Sequence, residues 1–315
     1  MTRPQTIQNA VQWRIKVGHP PHPRGGSQPE PFKRHLSMSK TLSDETVERY
    51  HRDGYFFPVP ILDAERVRAC RSNLERFERE TGHPLGGAER NKAHLLFRWV
   101  DDLMREERVL DLVEDLLGPD ILCWNTLFWI KEANSSSFVS WHQDARYWGL
   151  DSGDLVTVWL ALSPANEQSG CMRVLPGSHR EAVLPHRDRY QENNLLTRGQ
   201  EISVEVDESK TVSMVLEPGE VSVHNIRLAH ASGPNQTADR RIGLALNYIP
   251  TRARQIAGSW DCAALVRGED CYRHFEHTPI PPGDFDPELV RLHKRATDSM
   301  REILFSGAER VRETL

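Results

Sequence analysis

The chain has 315 residues, 38% of them hydrophobic and 27% charged, and its 40 basic and 45 acidic side chains leave a formal net charge of −5. That composition belongs to a folded, water-soluble protein; it excludes collagen-like and wholly disordered chains and offers no global attraction for nucleic acid or an anionic membrane. No apolar run is long enough to cross a bilayer, and five cysteines without a CxxC pair make neither a disulfide framework nor a metal knuckle, so a cytoplasmic protein is expected.

Residues 1–40 read as a disordered extension. Up to residue 37 they hold six prolines and six Lys or Arg against one acid, Glu30, with no hydrophobic period. Such a segment buries too little apolar surface to offset its ordering entropy. An Arg-rich, acid-poor start also has the composition of a transit peptide, but an extension ahead of an internal start at Met38 is the favoured reading.

Residues 41–315 read as one domain. Ser43 caps a short helix with Asp44 and Glu45 in its first turn and Gly54 where the chain leaves it. Asp63 opens a second helix with Val67, Cys70, Leu74 and Phe77 on one stripe, closed by Gly82. A third, over 107–117, carries Val109, Leu110, Val113, Leu116 and Leu117 ahead of Gly118-Pro119. From residue 121 the pattern turns to short β-rich runs: 121–131, 155–162, 171–175, 202–206, 212–216, 220–223 and 241–249. Many short strands without alternating helices predict an antiparallel barrel or a double-sheet jelly roll. Asp286-Pro287 begins a last helix.

The densest chemical cluster is Trp141-His142-Gln143-Asp144-Ala145-Arg146-Tyr147-Trp148. On an extended segment, His142 and Asp144 point to the same face and can meet one cation. Two His and one carboxylate on one side of a metal form the facial triad of non-haem Fe(II) oxygenases. A second such pair, His186-x-Asp188, sits in an Arg-rich stretch and reads as a solvated loop, so His186→Ala is expected to leave a metal site intact. The third ligand is His224 or His230. The strand that follows favours His230, because Arg241, Gly243, Ala245 and Asn247 share a face and Arg241 lies eleven residues on. An inward Arg241 can fork onto the distal carboxylate of a dicarboxylic co-substrate, Ser232 can add a hydroxyl, and its neighbour Arg240 then faces solvent. Tyr147 and Trp148 are expected at the substrate entrance. Arg146, with Arg227 and Arg252, would suit an anionic or zwitterionic substrate.

Taken in order, His142-x-Asp144, Trp159, Pro176-Gly177-Ser178-His179, Pro218-Gly219-Glu220, His230-x-Ser232-Gly233-x-Asn235 and Arg241 resemble the phytanoyl-CoA dioxygenase family. The likeness runs from about residue 43 to 250 and includes the opening Tyr50-His51-Arg52-Asp53-Gly54-Tyr55. It implies an Fe(II)- and 2-oxoglutarate-dependent dioxygenase on a mainly β, double-stranded β-helix (jelly-roll, cupin-like) fold with flanking helices. By position, His142, Asp144 and His230 would bind iron, and Arg241 and Ser232 would hold the C5 carboxylate of 2-oxoglutarate. Asn125 and Asn247 would line the co-substrate pocket, with Trp159 packed beside it. The activity implied is hydroxylation of a C–H bond in a small molecule, with O2 consumed and succinate and CO2 released. Halogenating relatives carry a small residue in place of the carboxylate, so Asp144 points to hydroxylation. The substrate classes implied are amino-acid derivatives, phosphonates, natural-product intermediates and acyl-CoA thioesters, with no nucleic-acid or membrane partner. Desaturation or cyclisation is the alternative outcome of the same oxidation. Outside the class the alternatives are a catalytically silent jelly-roll binding module and a Zn or Mn cupin-like enzyme; the Ser232/Arg241 pair argues against the second.

Overall fold

The computed structural model describes residues 41–308 and 310, so the expected extension over 1–40 lies outside the described residues. Helix α1 (Asp44–Asp53) starts where Ser43 Oγ accepts the Thr46 N–H at 3.2 Å and stops at Gly54, whose φ of 89° is left-handed. After strand β1 (Tyr55–Pro60), α2 (Ala64–Thr81) uses Asp63 and Gly82 in the same way and buries the expected stripe of Val67, Cys70, Leu74 and Phe77. Helix α3 (Arg98–Met104) precedes α4 (Glu107–Leu117), which buries Val109, Leu110, Leu112 and Val113 and leaves Leu116 and Leu117 half-buried.

Twelve further strands follow: β2 (Ile121–Lys131), β3 (Val139–His142), β4 (Val156–Ala161), β5 (Met172–Val174), β6 (His186–Asp188) and β7 (Gln200–Ile202), then β8 (Val212–Met214), β9 (Glu220–Asn225), β10 (His230–Ser232), β11 (Arg241–Pro250), β12 (Cys262–Arg267) and β13 (Glu276–His277). The last helix, α5 (Pro287–Leu304), begins at Asp286, whose carboxylate accepts the Glu288 and Leu289 N–H groups. A seven-stranded sheet runs β1-β9-β4-β11-β2-β12-β13, a four-stranded sheet runs β3-β10-β5-β8, and β6 and β7 pair apart. All pairings are antiparallel except β12 with β13. The chain is a double-stranded β-helix.

Strand β11 shows how the larger sheet is held. Ile242, Leu244, Leu246 and Tyr248 join the core that α2, α3 and α4 cover, while Arg241, Ala245 and Asn247 line a cavity on the opposite face. Burial on both faces explains why the run is apolar apart from Arg241 and Asn247. Each such fully buried aliphatic side chain contributes about 1.5–3 kcal/mol. Gly243 serves the same face differently. A Cβ there would lie 1.9 Å from Trp159 Cζ2, so only glycine lets the indole lie against the strand.

Two expectations are corrected. The strand expected over 202–206 is β7, and it ends at Ile202. Its partner β6 begins at His186 opposite Ile202, the Ser203 N–H still reaches Pro185 O at 2.8 Å, and Val204 beyond it is 47% exposed. The stretch at His186-Arg187-Asp188 is β6 rather than a solvated loop, with Asp188 held by Arg198 Nε at 2.8 Å. Among the described residues no helix is long and apolar enough to cross a membrane.

Candidate active site

The two histidines expected to share an ion lie 88 residues apart in sequence and directly opposite each other in the fold. His142 ends β3, His230 begins β10, and the two are register partners with ring centroids 4.1 Å apart. Asp144 follows in a one-turn 3-10 helix, so its carboxylate turns back toward His142, with Oδ1 3.3 Å from Nε2. One ligand atom from each of His142, Asp144 and His230 lies within 4.8 Å of the other two. Among the described residues this is the one such cluster of His, Cys, Asp or Glu side chains.

The ring orientations are fixed from behind. His142 Nδ1 donates to Ser140 O at 2.9 Å and to His230 O at 3.1 Å, and His230 Nδ1 donates to Leu228 O at 2.9 Å. A carbonyl accepts only, so each ring carries its proton on Nδ1 and presents an Nε2 lone pair to the shared point. Buried His142 Nε2 has no hydrogen-bond partner. An orphaned acceptor beside a carboxylate fits a cation. Burial lowers the His230 imidazole to about 3 and the His224 imidazole to about 4, so both are neutral at physiological pH. His224 stands beside the cluster, its ring 5.1 Å from that of His230, and is not one of the three.

A cavity open to solvent lies against these residues. Arg241, Ser232, Trp159, Asn125 and Asn247 all line it. Arg241 is buried, 5.3 Å from the Trp159 ring, with Nη1 donating to Gly170 O at 3.2 Å and Nε unpartnered; burial lowers it to about 10. Arg240 points the other way onto Glu78 and Glu132, as strand alternation requires. Asn125 and Asn247 are register partners. Asn125 Oδ1 accepts the Lys92 N–H at 2.8 Å, while Asn247 Nδ2 donates to Thr157 Oγ1 at 2.9 Å and leaves its buried Oδ1 unpartnered. Tyr147 and Trp148 line the cavity, with Trp148 packed on Trp124 at 5.0 Å. Arg146 does not. It is exposed, as is Arg227, and Arg252 is tied to Asp154 at 2.8 Å.

Three contributors were not anticipated. Arg90, in a 3-10 turn before β2, lines the cavity with its guanidinium 5.4 Å from the Trp129 ring. Lys131 Nζ donates to Ser232 Oγ at 2.7 Å from the end of β2. The alternation that turns Asn125 inward also carries to Leu127, Trp129 and Lys131, so period-two counting would have found the lysine. His186 is the third. Its Nδ1 donates to Leu184 O at 2.6 Å, so its Nε2 accepts the Gln143 N–H at 3.0 Å, clamping the backbone between His142 and Asp144. His186→Ala is therefore expected to weaken Fe(II) binding about tenfold, the lower end of what removing such outer supports costs. An anaerobic Fe(II) titration checks this, and an unchanged affinity would return His186 to a bystander.

A jelly roll that gathers two imidazoles and a carboxylate around one point, with a buried guanidinium in the wall of the same cavity, defines a class: non-haem Fe(II)- and 2-oxoglutarate-dependent dioxygenases. Fe(II) is the metal, and 2-oxoglutarate and O2 are the co-substrates. The chain belongs to the phytanoyl-CoA dioxygenase (PhyH) family, which matches residues 50–243. It is 29% identical over 186 residues to a probable alpha-ketoglutarate-dependent hypophosphite dioxygenase of Stutzerimonas stutzeri. That match covers 58% of this chain and 64% of the relative's length. Among solved structures it is similar to ThoJ, a non-heme monooxygenase in its apo form, at 36% identity and a TM-score of 0.74, over 84% of this chain and 99% of that one. It is also similar to CytC3 with Fe(II) and alpha-ketoglutarate, at 25% identity and a TM-score of 0.58, over 78% and 97%.

Proposed function

We propose that the protein hydroxylates a C–H bond of a small anionic molecule, consuming 2-oxoglutarate and O2 and releasing succinate and CO2. The observation that carries this reading is the convergence of His142, Asp144 and His230 on one point, with the two Nδ1–H groups already committed to carbonyls. In this reading those three residues hold the iron on one side. Arg241 and Ser232 seat the distal carboxylate of 2-oxoglutarate, and Asn125, Asn247 and Trp159 shape the pocket wall. Bound Fe(II) with 2-oxoglutarate would supply the electrons that activate O2, chemistry that side chains lack. The chain's own work is orientation and the exclusion of water, to which Tyr147, Trp148, Met300 and Leu304 contribute apolar surface on the cavity wall.

Arg90 supports the choice of an anion. Its Nη2 donates to Leu195 O at 3.0 Å, its buried Nε has no partner, and burial lowers it to about 10. A carboxylate or phosphonate oxygen would supply the missing acceptor and offset the cost of burying the charge. The relative named for hypophosphite is in keeping with this. All five cysteines are free and four are buried, which suits a reducing compartment, the cytoplasm.

The test is succinate release with Fe(II), 2-oxoglutarate and ascorbate across amino-acid derivatives, phosphonates, anionic natural-product intermediates and acyl-CoA thioesters. One class is expected to raise succinate above the substrate-free rate and to yield a product heavier by one oxygen atom. A product lighter by two hydrogens would replace hydroxylation with desaturation. The absence of any Fe(II)-dependent succinate would leave a binding module.

A further inference from the structure

Lys131 is fully buried, and a lysine in that position needs a reason. Its ammonium has three protons and meets three acceptors: Ser232 Oγ at 2.7 Å, Gly170 O at 3.4 Å and Gly233 O. A protonated amine donates only, so Ser232 Oγ accepts from it and must send its own hydrogen elsewhere. Ser232 lines the cavity. Lys131 and Arg241 are also direct register partners on β2 and β11, both are buried, and both donate to Gly170 O. The hydrogen bonds of both run to carbonyls and one hydroxyl, and among the described residues none runs to a carboxylate. With Lys131 protonated, two buried cations stand side by side and leave the local charge unbalanced.

We propose that Lys131 is a positioning residue for the co-substrate's distal carboxylate: it turns the Ser232 hydroxyl outward as a donor and, with Arg241, forms a pair of positive charges that one carboxylate completes. The inference rests on the reading of Ser232 and Arg241 as the seat of the 2-oxoglutarate C5 carboxylate and adds the group that aims one of them. Burial, reinforced by the neighbouring Arg241, lowers the lysine to about 6, so an arriving anion also stabilises the protonated form that orients the hydroxyl.

The experiment compares two keto acids on the Fe(II)-loaded protein under anaerobic calorimetric titration. 2-Oxoglutarate carries the distal carboxylate; 2-oxovalerate has the same chain without it. Wild type is expected to prefer 2-oxoglutarate. Lys131→Met is expected to weaken 2-oxoglutarate by about tenfold or more, as for loss of a charge-assisted contact, while 2-oxovalerate and Fe(II) affinities stay as they were. In a Ser232→Ala background the same substitution should cost much less, because the lysine acts through that hydroxyl. Lys131→Gln, which keeps a donor without the charge, serves if the methionine variant does not fold, with the same loss of preference expected. A variant that keeps the wild-type preference, or that weakens both keto acids alike, overturns the role of Lys131. A wild type without any preference overturns instead the underlying assignment of the carboxylate seat.

Discussion

Asp144→Ala is expected to lose Fe(II) binding by more than about a hundredfold and to release no succinate, while keeping its fold. Asp144 is the one carboxylate in the cluster, so its removal leaves two neutral imidazoles to hold a dication in a buried site. Loss of a ligand should exceed the roughly 10–100-fold seen when only a supporting contact goes. The fold should survive because Asp144 sits in a one-turn 3-10 helix outside the strands of both sheets. An anaerobic Fe(II) titration, paired with a thermal melt on the metal-free proteins, reads the two effects separately. Full iron-dependent turnover in this variant would sink the ligand assignment.

Arg241→Ala is expected to raise the KM for 2-oxoglutarate by about a hundredfold, with a smaller effect on kcat. A buried guanidinium that forks onto a carboxylate is worth about 3 kcal/mol, which converts to that factor. Lysine should not restore it, because a point charge cannot reproduce a planar fork. The loss should be specific to the distal carboxylate, since Arg241 is not one of the three groups that converge with the histidines. Succinate formation measured over a range of 2-oxoglutarate concentrations checks this. An unchanged KM would transfer the carboxylate to another cation of the cavity, with Arg90 the first to examine.

Local chemistry made much of the scaffold legible. The Ser43 and Asp63 caps and the Gly54 and Gly82 stops bound α1 and α2 as expected, because capping is decided within a few residues. The long β2 and β11 runs were visible for the same reason: ten or more residues suffice to show a pattern. Strands β6, β10 and β13, of two or three residues each, were not. Such short stretches have no period of their own and exist because a neighbour pairs with them. His186 was misread on that account, since its meaning comes from the Gln143 amide in another part of the chain. His224 and His230 were separable only through Arg241, and the structure brings His230 alone of the two into register with His142. Arg90 sits in a turn whose sequence carries no signal of facing inward, whereas Lys131 ends the β2 run and is within reach of simple alternation.

The pairing of His142 with His230 has a consequence for folding as well as for catalysis. β3 and β10 are short, they neighbour each other in the smaller sheet, and their register slips between His230 and Ser232. A divalent ion gripped by the facing histidines acts as a rivet through that seam. Because such an ion binds the folded state and not a chain in which residues 142 and 230 are far apart, iron supply should set the melting temperature as well as the turnover of this enzyme.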